Sequence, residues 1–215
     1  NERQLNESQK SFILGTLLGD GFLRSSQRIG SNRYRFGVCH SIKQKDWVSL
    51  KKEVLKEFGG SFTEKPAYKQ SGPRIDVTLP FSSIWTEWRH RFYNPKKCVP
   101  HNLKSSELTD MALATWFMDD GSRNGESIVL CTESFSKSDV VRLIKLLNEI
   151  GIVATTQNHK GDSYRIYIGS SPAYKLSASK FFRRVAPYIV PSLRHKIPSR
   201  ISCDEKYKYN KELWD

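Results

Sequence analysis

Two aspartates pose the first chemical question of this sequence. Asp20 closes the apolar run Ile13-Leu-Gly-Thr-Leu-Leu-Gly-Asp-Gly21, and Asp120 closes Leu113-Ala-Thr-Trp-Phe-Met-Asp-Asp-Gly121, 100 positions later. Each run reads as an apolar helix with its acid in the last turn, where the macrodipole presents its negative end and disfavours a carboxylate by roughly 0.3–1 kcal/mol. A cation is expected there. Either Asp-Gly alone is an ordinary helix end followed by a turn. The recurrence of an acid, a preceding apolar run and a following glycine within one basic chain is harder to account for that way. If the two helices pack side by side, with Gly15 and Gly19 letting Ala114 and its neighbours approach, Asp20 and Asp120 meet at one end of a shared interface. Like charges so placed raise one another's pKa unless a metal neutralises them. Mg²⁺ suits the role, because it takes carboxylate and water oxygens in octahedral geometry and clamps the attacking and leaving oxygens of phosphoryl chemistry.

Bringing two such acids together requires a duplicated scaffold, and the chain is written twice. Ser41-Ile-Lys-Gln-Lys-Asp46-Trp-Val48-Ser-Leu50 aligns with Ser134-Phe-Ser-Lys-Ser-Asp139-Val-Val141-Arg-Leu143. Phe58-Gly59 matches Ile150-Gly151, Arg74-Ile-Asp-Val77 matches Arg165-Ile-Tyr-Ile168, and Lys97-Cys-Val-Pro100 resembles Lys196-Ile-Pro198. Each copy reads as helix, two strands, helix, two strands, helix, which predicts an α+β protein of two αββαββα halves.

The first helix is expected to begin near Ser8 and its counterpart near Ser105 or Ser106, hydroxyl residues suited to N-capping, with Glu107 and Asp110 early in the second. Gly21 and Gly121 should stop them. Alternation marks strands: Ile75, Val77 and Leu79 take one face and Arg74, Asp76 and Thr78 the other, and Arg165 and Tyr167 oppose Ile166 and Ile168 in the second copy. Helical periodicity follows over Asp46–Phe58 and Asp139–Ile150. The expected division is a first subdomain at 1–95, a linker at 96–104, a second subdomain at 105–200 and a tail at 201–215.

The whole chain carries 35 Lys and Arg against 22 Asp and Glu, a formal charge of +13. Such an excess fits a polyanionic partner held through counterion release from phosphates. No apolar run approaches the roughly 20 residues that span a bilayer, so no membrane partner is expected. Residue 1 is Asn with no apolar signal segment after it, and Cys39, Cys98, Cys131 and Cys203 are widely spaced with no Cys-x-x-Cys pair. Reduced thiols, an intracellular protein and no structural zinc are expected. The five histidines lack the spacing of His-metal nucleases, and no phosphate-cradling glycine loop is present. No small-molecule cofactor is expected.

Ile13–Gly21 and Leu113–Gly121 resemble the two copies of the LAGLIDADG motif in single-chain homing endonucleases. Trp116-Phe-Met-Asp-Asp-Gly121 is especially similar to the second motif of the yeast mitochondrial intron-encoded subgroup. The resemblance extends over nearly the whole chain and includes the Lys-Lys-Cys-Val-Pro and His-Lys-Ile-Pro segments. It implies a monomer that cuts double-stranded DNA with two or three Mg²⁺ ions, with Mn²⁺ able to substitute and Ca²⁺ able to bind without cleavage. It implies an organelle or a prokaryotic cytoplasm as the setting. Asp20 and Asp120 would ligate metal, assisted by main-chain oxygens of Gly19 and Asp119. Lys97 and Lys196 would polarise the site or help activate water, and His40 and Glu133, equivalent in the repeat, would position solvent. The first motif departs from the consensus in having Leu18-Gly19 in place of the penultimate acid, so Asp119 lacks a counterpart.

In that family each copy contributes a four-stranded antiparallel sheet, and the two sheets form a saddle over the duplex. Candidate DNA contacts on the polar strand faces are Arg24, Arg28, Arg33, Arg35, Lys65, Lys69, Arg74 and Asp76 in copy one. In copy two they are Arg123, Asn124, Asn158, Lys160, Arg165 and Tyr167. Arginine can read guanine bidentately, Asn can read adenine, and Lys mostly meets phosphate. The copies differ at almost all these positions, which predicts an asymmetric target. The competing reading is an RNA maturase that binds intron RNA, or a nucleic-acid-binding module without catalysis. Retention of both acids and both lysines favours the nuclease, because a carboxylate would repel phosphate in a pure binding module. An intein origin is disfavoured by the lack of a flanking splicing-type cysteine or His-Asn end. Tyr167-Ile-Gly169 resembles half of a GIY-YIG signature, but Gly151-Ile-Val153 lacks the matching tyrosine.

Overall fold

The computed structural model describes residues 4–26, 33–69 and 72–214. Two helices occupy its centre. Helix α1 (Glu7–Leu18) starts at a capping box: Asn6 Oδ1 accepts from the Gln9 amide at 2.7 Å, and Gln9 Oε1 accepts from the Asn6 amide at 3.1 Å. Two orphan donors of the first turn are thereby satisfied, and the cap lies two residues before the expected Ser8. Helix α4 (Asp110–Asp120) is capped by Thr109, whose Oγ1 accepts from the Ala112 amide at 3.1 Å. The expected cap at Ser105 or Ser106 falls in a separate 3₁₀ turn, Ser105–Glu107.

Neither central helix is amphipathic. Phe12 to Leu18 and Met111 to Met118 are buried without interruption, the pattern of a helix packed on every side. They make the most extensive helix–helix contact in the molecule. A Cβ at Gly15 would lie 2.3 Å from the Ala112 carbonyl oxygen and 2.7 Å from Thr115 Cβ, so the close approach requires glycine there.

The helix ends differ from expectation in copy one. α1 stops at Leu18; the Gly19 amide donates to the carbonyls of Gly15 and Thr16, and the Gly21 amide donates to Thr16 at 2.7 Å. Asp20 therefore lies just past the helix, whereas Asp120 is the last residue of α4, with the Gly121 amide closing on Phe117.

Around this pair each half repeats one topology. In the first, β1 (Phe22–Ser25), β2 (Tyr34–Ser41), α2 (Lys45–Val54), β3 (Ser61–Lys65), β4 (Arg74–Thr78) and α3 (Ile84–Phe92) form an antiparallel sheet ordered β1-β2-β4-β3. A short ribbon, β5 (Tyr93–Asn94) with β6 (Lys96–Lys97), leads out of it through the expected linker. In the second, β7 (Gly121–Asn124), β8 (Ser127–Leu130), α5 (Lys137–Glu149), β9 (Thr155–Asn158), β10 (Tyr164–Ile168) and α6 (Ser177–Val185) give the order β7-β8-β10-β9. The short α7 (Ser199–Ser202) follows. The αββαββα expectation is met in both halves. The helix expected over Asp46–Phe58 breaks at Val54 and continues only as a 3₁₀ turn at Lys56–Phe58.

One face of each sheet enters the core: Phe36, Val38, Ile75 and Val77 in the first, Ile128, Leu130, Ile166 and Ile168 in the second. Helices α2 and α3 cover the first and α5 and α6 the second. The chain end returns across the molecule, where the Trp214 ring packs on Phe12, Trp47 and Tyr188 at centroid distances of 6.0, 5.6 and 5.4 Å. Among the described residues no helix is long and apolar enough to cross a membrane.

Candidate active site at the base of the central helices

The end of α1, the end of α4 and one face of β2 converge on a cluster of acids. His40 belongs to the core-facing register of β2, opposite Ile75, and its side chain is almost wholly buried. Its Nδ1 lies 3.7 Å from Asp20 Oδ2 and its Nε2 3.6 Å from Asp119 Oδ1. Ligand atoms of Asp20, His40 and Asp119 all fall within 4.8 Å of one another. Burial pulls the His40 imidazole down to about 4 against the pull of Asp119 in the opposite direction, so the ring is neutral at physiological pH.

Asp119 is fully enclosed. Its Oδ1 accepts from Trp47 Nε1 at 2.8 Å, and the Lys51 ammonium lies 3.1 and 3.2 Å from its two oxygens. Lys51 is itself 0% exposed; it also donates to Thr16 Oγ1 at 3.3 Å and sits over the rings of Trp47 and Phe12 at 4.2 and 5.0 Å. From sequence Asp119 is expected to contribute only a main-chain oxygen, and neither Lys51 nor Trp47 stands out. A lysine in an amphipathic helix reads as a solvent-facing residue, and its acid lies 68 positions away.

Asp20 and Asp120 are the two acids left facing outward. Burial and the Asp119 carboxylate push Asp20 up to about 6, opposed by Lys51, Lys97 and Lys196. Burial, then Asp20 and Asp119, push Asp120 up to about 7. Asp20 is thus near enough for its charge to raise Asp120.

The cations expected at the helix ends are present as lysines. Lys97, carried in by β6, donates to the carbonyls of Gly19 and Gly21, each at 2.8 Å. Lys196 donates to the carbonyls of Met118 at 2.8 Å and Phe117 at 3.4 Å. Lys97 thus binds carbonyls just past the end of α1, and Lys196 binds the Met118 carbonyl in the last turn of α4, so each places a cation at the negative end of its own half's central helix. Burial draws Lys97 down to about 8 despite Asp120, Asp20 and Asp119, and it lowers Lys196 too. The Gly19 carbonyl, expected to face metal, has one lone pair taken by Lys97.

Glu133 is not the structural counterpart of His40. It lies in the loop after β8, paired with the Arg165 guanidinium and 3.8 Å from His159 Nε2, and reaches the acids only as a weak contribution to the raised Asp120. It precedes Ser134 as His40 precedes Ser41, but β2 runs to Ser41 whereas β8 ends at Leu130, three residues before Glu133.

The strand registers sort the expected nucleic-acid contacts. Arg24 opposes Arg35, and Lys65 opposes Arg74, all on the face that also carries Asp76. Arg24 stacks over Phe22, Arg35 over Phe81, and Arg74 donates to Asp76 Oδ1 at 2.9 Å. In copy two, Arg165, Tyr167 and Asn124 share the corresponding face, with the Tyr167 hydroxyl donating to Ser127 Oγ at 2.9 Å. Arg123 and Asn158 do not: Arg123 pairs with the core residue Ile128, and Asn158 pairs with Tyr164, so both have the parity of the helix-covered face. Ser122, Thr155 and Gln157 hold the outward register instead, and in copy one Cys39 does so beside Asp76. In strands of four residues one position of uncertainty inverts every side chain. Arg33, Lys69 and Lys160 are exposed beside the strands. Arg28 lies outside the described residues.

Two αββαββα halves packed through their central helices, with acids and lysines of both halves at the ends of those helices, define a two-motif α+β fold. The chain is a member of the LAGLIDADG DNA endonuclease family, whose profile matches residues 10–176. The homing endonuclease I-WcaI bound to its DNA recognition sequence superposes with a TM-score of 0.76 at 23% identity, covering 92% of this chain and 88% of that one. The DNA endonuclease I-ChuI of Chlamydomonas applanata is 27% identical over 90% of this chain and 95% of its own length. The cytochrome b mRNA maturase bI2 of Debaryomyces hansenii is 26% identical over 91% of this chain and 75% of its own. RecA of Mycolicibacterium flavescens is 28% identical over 92% of this chain, which spans only 48% of that protein.

Proposed function

We propose that this chain is a site-specific endonuclease that hydrolyses both strands of a long asymmetric DNA duplex with divalent metal held between Asp20 and Asp120, leaving a short staggered break. The observation that carries this reading is the convergence of those two carboxylates, one from each half, at one end of the packed α1–α4 pair. The donor set fits Mg²⁺: the outward-facing ligands are carboxylate and carbonyl oxygens. Both acids are crowded into a state that a cation would relieve. His40 Nε2 is buried without a hydrogen-bond partner among the described residues. When bound, Mg²⁺ supplies a Lewis acid for the phosphate and a lowered pKa for coordinated water.

The protein's own groups account for the rest. Lys97 spends two of its three N–H groups on Gly19 and Gly21, leaving the third to meet a phosphate oxygen and stabilise its developing charge. Lys196 stands in the same relation to α4. Neutral, buried His40 lies against the inner side of Asp20. The two sheets fix where the duplex lies. Their different side chains favour an asymmetric target, and one chain supplies both halves, which favours a monomer.

Similarity to the cytochrome b mRNA maturases favours a second reading, in which the same basic sheets bind intron RNA. The two separate in one assay: duplex targets selected from a randomised library are mixed with the protein in Mg²⁺ and in chelator. Cutting of both strands in Mg²⁺ alone is expected. Tight binding without cutting in Mg²⁺ favours the RNA-binding reading.

A further inference from the structure

We infer that Lys51 is a positioning residue of the candidate site: it reaches across from the first half to fix the Asp119 carboxylate of the second half against Asp20, making the two half-sites unlike. This rests on the endonuclease reading above. Among the described residues such a lysine–aspartate pair, both side chains 0% exposed, occurs once. In the repeat, Lys51 corresponds to Ile144 and Asp119 to Gly19, so the mirror-related contact would join an isoleucine to a glycine. The copy-one glycine is what makes room, because a Cβ on Gly19 would stand 2.7 Å from Asp119 Cβ. Two penultimate acids could not both fit against this interface in the present packing.

The lock is closed on every side. Lys51 and Asp119 are each 0% exposed in their side chains; Trp47 holds one oxygen, Thr16 shares the ammonium, and the rings of Phe12 and Trp47 enclose it. A charge pair so enclosed tolerates loss of both members far better than loss of one. The Asp119 carboxylate adds its charge beside Asp20, and His40 bridges the gap at 3.7 and 3.6 Å. Asp120 has no such enclosed pair among the described residues: the lysine that acts on it, Lys97, is hydrogen-bonded to the carbonyls of Gly19 and Gly21, and Glu133 is committed to Arg165.

The test compares Lys51→Met, Asp119→Asn and the double variant, reading thermal unfolding and target binding in chelator, and strand-resolved nicking in Mg²⁺. Each single variant leaves an uncompensated buried charge and is expected to melt on the order of 10 °C lower. The double variant is expected to recover most of that loss and to bind its target within two-fold of the wild type. It should nevertheless nick one strand at least ten-fold more slowly while the other stays within three-fold. Wild-type rates on both strands in the refolded double variant, or an equal fall on both, would overturn the inference. So would a Lys51→Met protein that melts with the wild type. A wild-type chain that binds its target but leaves both strands intact in Mg²⁺ overturns the endonuclease reading instead, and the melting comparison still decides whether the lock exists.

Discussion

Arg74 and Arg165 occupy equivalent places in the two halves and are held in different ways. Asp76 steadies the first at 2.9 Å, whereas Glu133 and His159 flank the second. A guanidinium held in one plane by a carboxylate is suited to bidentate reading of a base edge, more than to following a phosphate. Replacing either by alanine should cost about 1–3 kcal/mol of binding and relax base preference at one target position, measured by competition with singly substituted duplexes. A uniform loss across all substituted targets would mark these arginines as phosphate contacts. At this scale the outward acids stand out in the sequence as a repeated Asp-Gly pair 100 positions apart, and the two lysines through the family resemblance. The Lys51–Asp119 pair does not, since it breaks the repeat. Arg123 and Asn158, though both exposed, carry the parity of the core-facing side, because the register of a four-residue strand is set by its partner and not by its own composition.

Among the elements, α1 and α4 depend on intimate contact. The carbonyl of Ala112 occupies the space that a Gly15 side chain would need, and the apolar runs are buried all round. Gly15→Ala should therefore separate the helices and destabilise the fold by about 1–3 kcal/mol through overpacking, seen as a lower urea midpoint. An unchanged midpoint would mean that the helix pair can shift without cost. Alternation and apolar periodicity sufficed to read the αββαββα order. Boundaries were read less well, and for local reasons: Asn6 and Gln9 form a reciprocal cap ahead of Ser8, and Gly19 ends α1 before Asp20. The acid of copy one thus sits on a turn and that of copy two on a helix, although their sequences look alike.

At the scale of the molecule, the halves are bound by more than the central helices. Trp214, 3% exposed, wedges against Phe12 and Trp47 of the first half and Tyr188 of the second. Trp214→Ala should cost about 3–5 kcal/mol by leaving a cavity, checked by denaturant unfolding. The expected tail at 201–215 is in this sense a structural strap, which its mixed composition did not announce. The charge of +13 belongs to the same scale, and target affinity should fall linearly in log–log fashion with salt. The most direct trial of the shared site is cleavage of a selected duplex by Asp20→Asn and Asp120→Asn in Mg²⁺, with binding measured alongside. Each variant should bind the duplex as the wild type does and lose double-strand cleavage. Wild-type cleavage by either one would contradict a site in which both carboxylates take part.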